Sequence, residues 1–251
     1  MSVPVFVNCR NRLAPLRQLL DWLDAVGLDE VYLLDNDSTY PPLLEFYESC
    51  RPTVVRLGAN VGQLALFSTP GLLDEHARER PFVYTDPDVV PVEECPADAV
   101  EHFQAVLERH PEVSKAGFGL VIDDLPDHYP FARQVIAWEK RWWADEVEPG
   151  VYAAPIDTTF AVYRAGTREY RLDALRTGRP YVARHTTWYT DLANPSEEDV
   201  FYARDRSPST QHWGQLTLDP HVAHYASLRG RIGRLRDRVR NLPRGPGLRH
   251  R

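Results

Sequence analysis

Lysine is nearly missing from this sequence. Only Lys115 and Lys140 occur, against 27 arginines, a bias that fits a GC-rich coding sequence rather than any particular chemistry. Cysteine is also scarce. Cys9, Cys50 and Cys95 are widely spaced and odd in number, which excludes a disulfide framework and a zinc cluster and leaves buried or half-buried free thiols. No run approaches the ~18 uninterrupted apolar residues of a membrane span. The start, Met1-Ser2-Val3-Pro4, lacks the charged and apolar regions of a secretory signal, so cytoplasmic residence is expected. A net charge of −7 argues against nucleic-acid binding by the body of the chain. What is present, 43% hydrophobic and 26% charged residues over 251 positions, suffices for one large domain or two modest ones.

The first 90 residues alternate between two periodicities. Val3–Asn8 is a short apolar run fitting a buried strand. It turns polar at Asn8-Cys9-Arg10-Asn11-Arg12, and Leu13, Leu16, Leu19, Leu20, Leu23 and Val26 then follow a helical period closed by Gly27. Val31–Leu34 reads as a second strand ending in Asp35-Asn36-Asp37-Ser38-Thr39, and Pro41-Pro42 open a second helix. Val54–Leu57 is a third strand, followed by Asn60-Val61-Gly62-Gln63, and a helix over Gly71–Arg80 leads to a fourth. The order β-α-β-α-β-α-β with short connections predicts an α/β fold: a Rossmann-like, mostly parallel sheet with helices on both faces. Ligands of such sheets bind along the carboxyl ends of the strands, where the polar turns lie.

The fourth strand carries the stretch that matters most. Phe82-Val83-Tyr84-Thr85 is followed by Asp86-Pro87-Asp88. Pro87 fixes φ and offers no N–H, so the strand ends there. Two carboxylates at i and i+2 repel each other unless a cation lies between them, and a hard divalent ion with oxygen ligands, Mg²⁺ or Mn²⁺, is the natural candidate. A solvated Asp-Pro turn is the plain alternative.

By Asp88 the residues resemble a known family. The chain is similar to GT-A glycosyltransferases, in particular the family 2 branch that uses nucleotide-diphosphate sugars. Asp35-Asn36-Asp37-Ser38-Thr39 stands for the D-N-x-S-T at the second strand end, Asn60-Val61-Gly62 for the N-x-G, and Asp86-Pro87-Asp88 for the D-x-D. The match covers residues 3–91 and extends only loosely beyond. The resemblance implies a single domain over 1–226, with residues 1–91 as the nucleotide-sugar half and 92–226 as an acceptor-side α+β half. It places the donor on Asn8, Arg10, Asp35, Asn60, Gly62, Gln63 and Asp86, and a divalent cation on Asp86 and Asp88. A capped turn, a solvated arginine and an ordinary glycine turn are the structural alternatives for Asn8, Arg10 and residues 60–63.

In the second half, Glu101–Arg109 has a helical pattern and Gly117–Ile122 that of a strand ending in Asp123-Asp124. The Asp123-Asp124 pair, Asp123 in particular, is a candidate for holding an acceptor hydroxyl, with a polar strand end as the alternative. The aromatics of residues 127–149 fill a core or pack on sugar faces. Ala153–Tyr163 reads as the clearest strand of this half, and Asp157 inside it would be costly unless paired, hydrogen-bonded or at a site. The resemblance makes Asp157 a catalytic or sugar-orienting carboxylate and His185 the residue completing the metal site. Trp188 and Tyr189 are expected as an acceptor platform. Glu197, Glu198 and Asp199 read as a solvated acidic turn or helix start, one of which would serve as base in an inverting enzyme, although the family's usual base motif is not matched. The short length and that missing motif fit a retaining mannosyl or related hexosyl transfer, for instance from GDP-mannose.

Residues 227–251 carry nine arginines and one acid, with Ile232, Leu235 and Val239 at helical spacing. This basic amphipathic helix or tail suits a partner subunit, including a homodimer, or the inner face of a membrane bearing a lipid-linked acceptor; a mobile tail is the alternative. Two rivals accompany the transferase reading. A nucleotidyltransferase shares the sheet and paired aspartates but calls for a glycine-rich loop after strand one, and Asn8–Arg12 contains no glycine. A nucleotide- or sugar-binding module would bind the donor without turnover.

Overall fold

Alternation along the first strand sets the two faces of the sheet. In the computed structural model, which describes residues 3–205, β1 (Val5–Cys9) sends Val5, Val7 and Cys9 into one apolar cluster and Phe6 into another on the opposite face. This is the two-residue period of a strand buried on both sides. β1 pairs in parallel with β2 (Val31–Asp35) and β4 (Phe82–Thr85), and β2 with β3 (Thr53–Arg56). Helices α1 (Ala14–Ala25) and α2 (Pro41–Tyr47) cover the first face through Leu16, Leu19, Leu23 and Leu43. The short α3 (Ala65–Ser68) and α4 (Leu72–His76) cover the other through Leu66, Leu72 and Leu73. Gly27 closes α1 in the left-handed region at φ 77°, as its position in the sequence predicts. The helix expected over Gly71–Arg80 is shorter, because Gly71 (φ 80°) and Arg78 (φ 48°) both leave helical geometry.

Beyond β4 come β5 (Val89–Pro91), α5 (Ala99–Arg109), β6 (Lys115–Leu120), α6 (Ala132–Glu139), β7 (Glu146–Glu148), β8 (Val151–Ala153), β9 (Ala161–Tyr163), β10 (Ala174–His185) and α7 (Glu197–Arg204). The sheet has ten strands in the order β3-β2-β1-β4-β9-β6-β10-β8-β7, with β5 paired to β10. β9 enters antiparallel between β4 and β6, and β6 runs parallel to β10. The fold class is therefore the expected one: a mixed α/β sheet, most of whose strands point one way, with helices on both faces. Cys9 is buried and Cys50 and Cys95 half-buried, all three free.

One expected strand does not form as read. Ala153–Tyr163 is not continuous: β8 ends at Ala153, and the chain re-enters the sheet only at Ala161. Pro155 brings no N–H to a ladder, and the Asp157 carboxylate accepts from the Thr159 amide (3.2 Å) and hydroxyl (2.9 Å), a local turn that competes with strand pairing. This loop crosses β6 at a glycine. A Cβ on Gly117 would lie 2.2 Å from the Phe160 carbonyl oxygen and 2.7 Å from the Ala161 Cα, which are backbone atoms that cannot swing aside. Gly117→Ala is expected to lower unfolding free energy by about 1–3 kcal/mol, read as a shifted urea midpoint at unchanged slope.

Candidate functional site

The polar ends of β1, β2 and β3 meet through one asparagine. Asn36, 3% exposed, donates to the Gly62 carbonyl (2.8 Å) and to Asn8 Oδ1 (3.3 Å) and accepts from the Val61 amide (2.7 Å). Asn8 is turned toward Gly62 O and Asp86 Oδ1, each 3.5 Å from its amide. Asn60 accepts from the Gly62 amide (3.0 Å), and Gly62 takes φ 82°, which glycine adopts without cost. The Gln63 carbonyl accepts from the buried Tyr84 hydroxyl (2.6 Å). Asp35 is 4% exposed and already engaged, accepting from the Ser38 amide (3.2 Å) and facing Arg56 at 3.3 Å. The expected donor-side residues thus share one strand edge, with Asp35 beneath its surface. Asn36, whose only signal in the sequence is its place in the D-N-x-S-T motif, is what joins the loops.

The last described helix closes this edge. Arg10 donates to the Asn36 and Asp37 carbonyls (2.8 and 2.7 Å) and to Asp205 (2.9 Å). Asn11 also donates to Asp205. Arg12, whose guanidinium lies 4.7 Å from the Tyr202 ring centroid, donates to Asp199 (2.8 Å). Glu198 is not solvated as expected. It is buried and accepts from the Leu13 and Ala14 amides, both at 2.9 Å, satisfying donors that the start of α1 leaves open. Asp199 instead completes a capping box with Ser196 at the start of α7. Their engagement removes two of the three acids from the role of a free base: Glu198 and Asp199 are bonded, while Glu197 stands exposed in the first turn of α7.

Asp86 and Asp88 lie side by side in unlike surroundings. β4 stops at Thr85, as Pro87 requires, and the loop is pinned by backbone bonds from Asp86 N to Thr158 O and from Thr186 N to Asp88 O, both 2.8 Å. Asp86 accepts from Thr158 Oγ1. Burial, then the negative charges of Asp88 and Asp157, push its carboxyl well above the usual range. Asp88 accepts from Thr187 Oγ1 at 2.8 Å. Burial would raise its carboxyl too, but His185, Arg12 and Thr187 outweigh that and hold it low. The β5–β10 pairing sets His185 opposite Val89, which brings its Nε2 to 3.9 Å from Asp88 Oδ2. Asp157 stands exposed in its turn. Its crowded setting raises it, but Arg176, Thr159 and Lys115 together keep it low and ionised.

Arg184 and Thr186, the chain neighbours of His185, line a cavity of about 540 Å³ together with Gln18, Asp124, Tyr189 and Thr190. Asp124 accepts from Arg184 (2.8 Å) and from the Tyr189 hydroxyl. Asp123 lies outside this cavity and pairs with Arg179 at 3.0 Å; its neighbour Asp124 faces inward. Trp188 requires a correction. It is 1% exposed and stacks on His185 with centroids 4.9 Å apart, so it supports the histidine and presents no platform to an acceptor. Tyr189 remains on the cavity wall.

Among the described residues no group of three or more His, Cys, Asp or Glu side chains is gathered so as to hold a metal ion. Of the three expected ligands only Asp88 and His185 approach each other, at 3.9 Å, and Asp86 is turned toward Asn8 and Thr158. An ionised carboxylate beside an imidazole is a donor set that suits Mn²⁺-like ions, and a diphosphate would supply further oxygens. The donor chemistry fits such an ion, while the count of protein ligands is smaller than expected.

No protein-family model matches this chain, and no curated protein matches it. Among solved structures it is similar to glucosyl-3-phosphoglycerate synthase from Mycobacterium tuberculosis in complex with phosphoglyceric acid. The identity is 16% and the TM-score 0.39, over 65% of this chain and 57% of that one.

Under the site lie two buried cations. Arg176 pairs with Glu139 at 2.6 Å, and Lys115 is wholly buried, its ammonium 4.7 and 4.6 Å from the Tyr163 and Tyr170 ring centroids. Burial lowers the Lys115 amine to about 7, although Asp157 and Asp173 oppose the change. The unfolded chain, with an ordinary lysine near 10.5, therefore binds more protons between those values, and stability gains from Lys115 as pH rises through that window. Parallel urea titrations of the wild type and Lys115→Met check this. Between pH 7 and pH 10 the wild-type unfolding free energy is expected to climb relative to the variant's by roughly 3 kcal/mol.

Proposed function

We propose that this chain is a GT-A type glycosyltransferase that moves a hexose from a nucleotide-diphosphate sugar to a hydroxyl of a saccharide or lipid-linked acceptor. The observation that carries this reading is the division of labour in Asp86-Pro87-Asp88: one carboxyl turned to Asn8 and Thr158, the other to Thr187 and His185. It lies at the carboxyl edge of the parallel strands, where ligands of α/β sheets bind. Asn8, the Asn60–Gln63 loop and Asp86 would receive nucleotide and ribose, with Arg10 and Asn36 shaping that wall. Asp88 and His185 would hold a divalent cation, Mn²⁺ or Mg²⁺, which when bound neutralises the charge growing on a diphosphate leaving group.

Asp157 is the carboxylate nearest in role to catalysis. It is exposed and held in its ionised form, which makes it a weak proton acceptor at neutral pH. It is better suited to orienting the sugar and stabilising positive charge on it. That favours a retaining route in which the leaving phosphate assists the acceptor, mannose from GDP-mannose being one such donor. The cavity with Asp124, Arg184 and Tyr189 on its wall would take the acceptor. No helix among the described residues is long and apolar enough to cross a membrane, and the basic stretch 227–251 proposed for membrane or partner contact lies outside the described residues.

The deciding measurement is a thermal-shift series with GDP, UDP, ADP and TDP, each with and without Mn²⁺ or Mg²⁺. One diphosphate is expected to raise Tm only with metal, and Asp88→Ala to abolish that shift. A series with no metal-dependent shift overturns the reading. With a sugar donor carrying the nucleotide so identified, Asp157→Asn is expected to lower kcat by about 10²-fold or more at nearly unchanged KM.

A further inference from the structure

The turn that presents Asp157 has almost no regular structure of its own, since residues 154–160 lie between β8 and β9. It is held from below by two side chains of the sheet. Arg176, on β10, donates from Nε to the Pro155 carbonyl (2.9 Å) and from Nη1 to the buried Glu139 (2.6 Å). Lys115, on β6, donates from Nζ to the Asp157 carbonyl (3.2 Å) and to the Tyr163 hydroxyl (2.9 Å). Both cations are under a tenth exposed. They lie on neighbouring strands, because β6 pairs with β10 in register Lys115↔Ala174 and Gly117↔Arg176. Lys115 is faced by Tyr163, Tyr170, Asp157, Asp173 and Arg176. Burying a lysine amine under a loop is costly. A hydrophobic residue would fill the space at less expense, and would leave the Asp157 carbonyl without its donor.

We propose that Lys115 and Arg176 are positioning residues: each grips a backbone carbonyl of the Pro155–Thr159 turn, and together they fix the Asp157 carboxylate beside Asp86. The carbonyl grip on Asp157 also serves Asp86 directly, because the Asp86 amide donates to Thr158 O and its carboxylate accepts from Thr158 Oγ1. One loop thereby sets the mutual placement of two acids that are distant in sequence. The proposal rests on the reading of Asp157 as a working carboxylate, so its test has one arm that needs no turnover.

The first arm is amide hydrogen exchange in Lys115→Met, with Arg176→Met/Glu139→Leu as a second variant that leaves no buried carboxylate stranded. The amides of Asp86, Phe118 and Thr159, whose acceptors all lie in this loop, are expected to exchange at least tenfold faster. Those of α1 should stay within twofold, and the Lys115→Met protein should be no less stable to urea than wild type at pH 7. The second arm is steady-state transfer with hexose donors built on the nucleotide that the diphosphate series names. A kcat at least tenfold lower is expected with donor KM within twofold, and Arg176→Lys should recover most of the rate lost in the Arg176→Met/Glu139→Leu variant. Unchanged exchange in the loop, or acceleration spread evenly over the sheet, overturns the proposal. A loosened loop with unchanged kcat overturns it too. If the wild type turns over no nucleotide sugar, the transferase reading falls, and the exchange arm still decides whether the two cations hold the turn.

Discussion

Two carboxylates two residues apart cannot both be comfortable in a partly desolvated loop, and the site is built around that repulsion. The fold resolves it by asymmetry rather than by removing a charge. Asp88 is surrounded by His185, Arg12 and Thr187, which favour its ionised form. Asp86 is left with hydroxyl and amide partners and the opposing fields of Asp88 and Asp157. Groups so pushed apart in proton affinity are a common mark of sites that handle charge. The elements delivering this contrast come from far along the chain: Arg12 follows β1, Thr158 lies in the loop before β9, and His185 ends β10.

Much of this was legible in the sequence where local physics decides. The period-two and period-3.6 runs over Val5–Thr85 correspond to the parallel half of the sheet and its helices, Gly27 ends α1, and Pro87 ends β4. The polar turns after β1, β2 and β3 and the D-x-D do lie along one edge, as the order of elements implies. Where the sequence misleads, the outcome depends on partners distant along the chain or on bonds that override propensity. Ala153–Tyr163 carries strand-forming residues, yet Pro155 and the Asp157–Thr159 hydrogen bonds open it into a loop. Trp188 resembles an exposed platform residue by type, but packing against His185 puts it in the core.

The acidic run Glu197-Glu198-Asp199 shows the same limit in charge rather than shape. Three consecutive acids look solvated because nothing nearby in sequence opposes them. The partners of Glu198 and Asp199, the α1 amides and Arg12, lie about 185 residues earlier. A hint was available: Arg10-Asn11-Arg12 brings two cations to a strand end in a chain of net negative charge, and a cationic strand end calls for an anion, whether ligand or side chain.

The docking of α7 has a consequence for the order in which the molecule becomes competent. The parallel β3-β2-β1-β4 half of the sheet is complete by Thr85, with β1 between β2 and β4. Yet Arg10, Asn11 and Arg12, which follow that strand, each also take a partner from Asp199 or Asp205, far along the chain. A chain emerging from the ribosome from its amino terminus would have this half of its sheet well before that wall is complete. The wall that follows β1 waits for a much later helix to complete it.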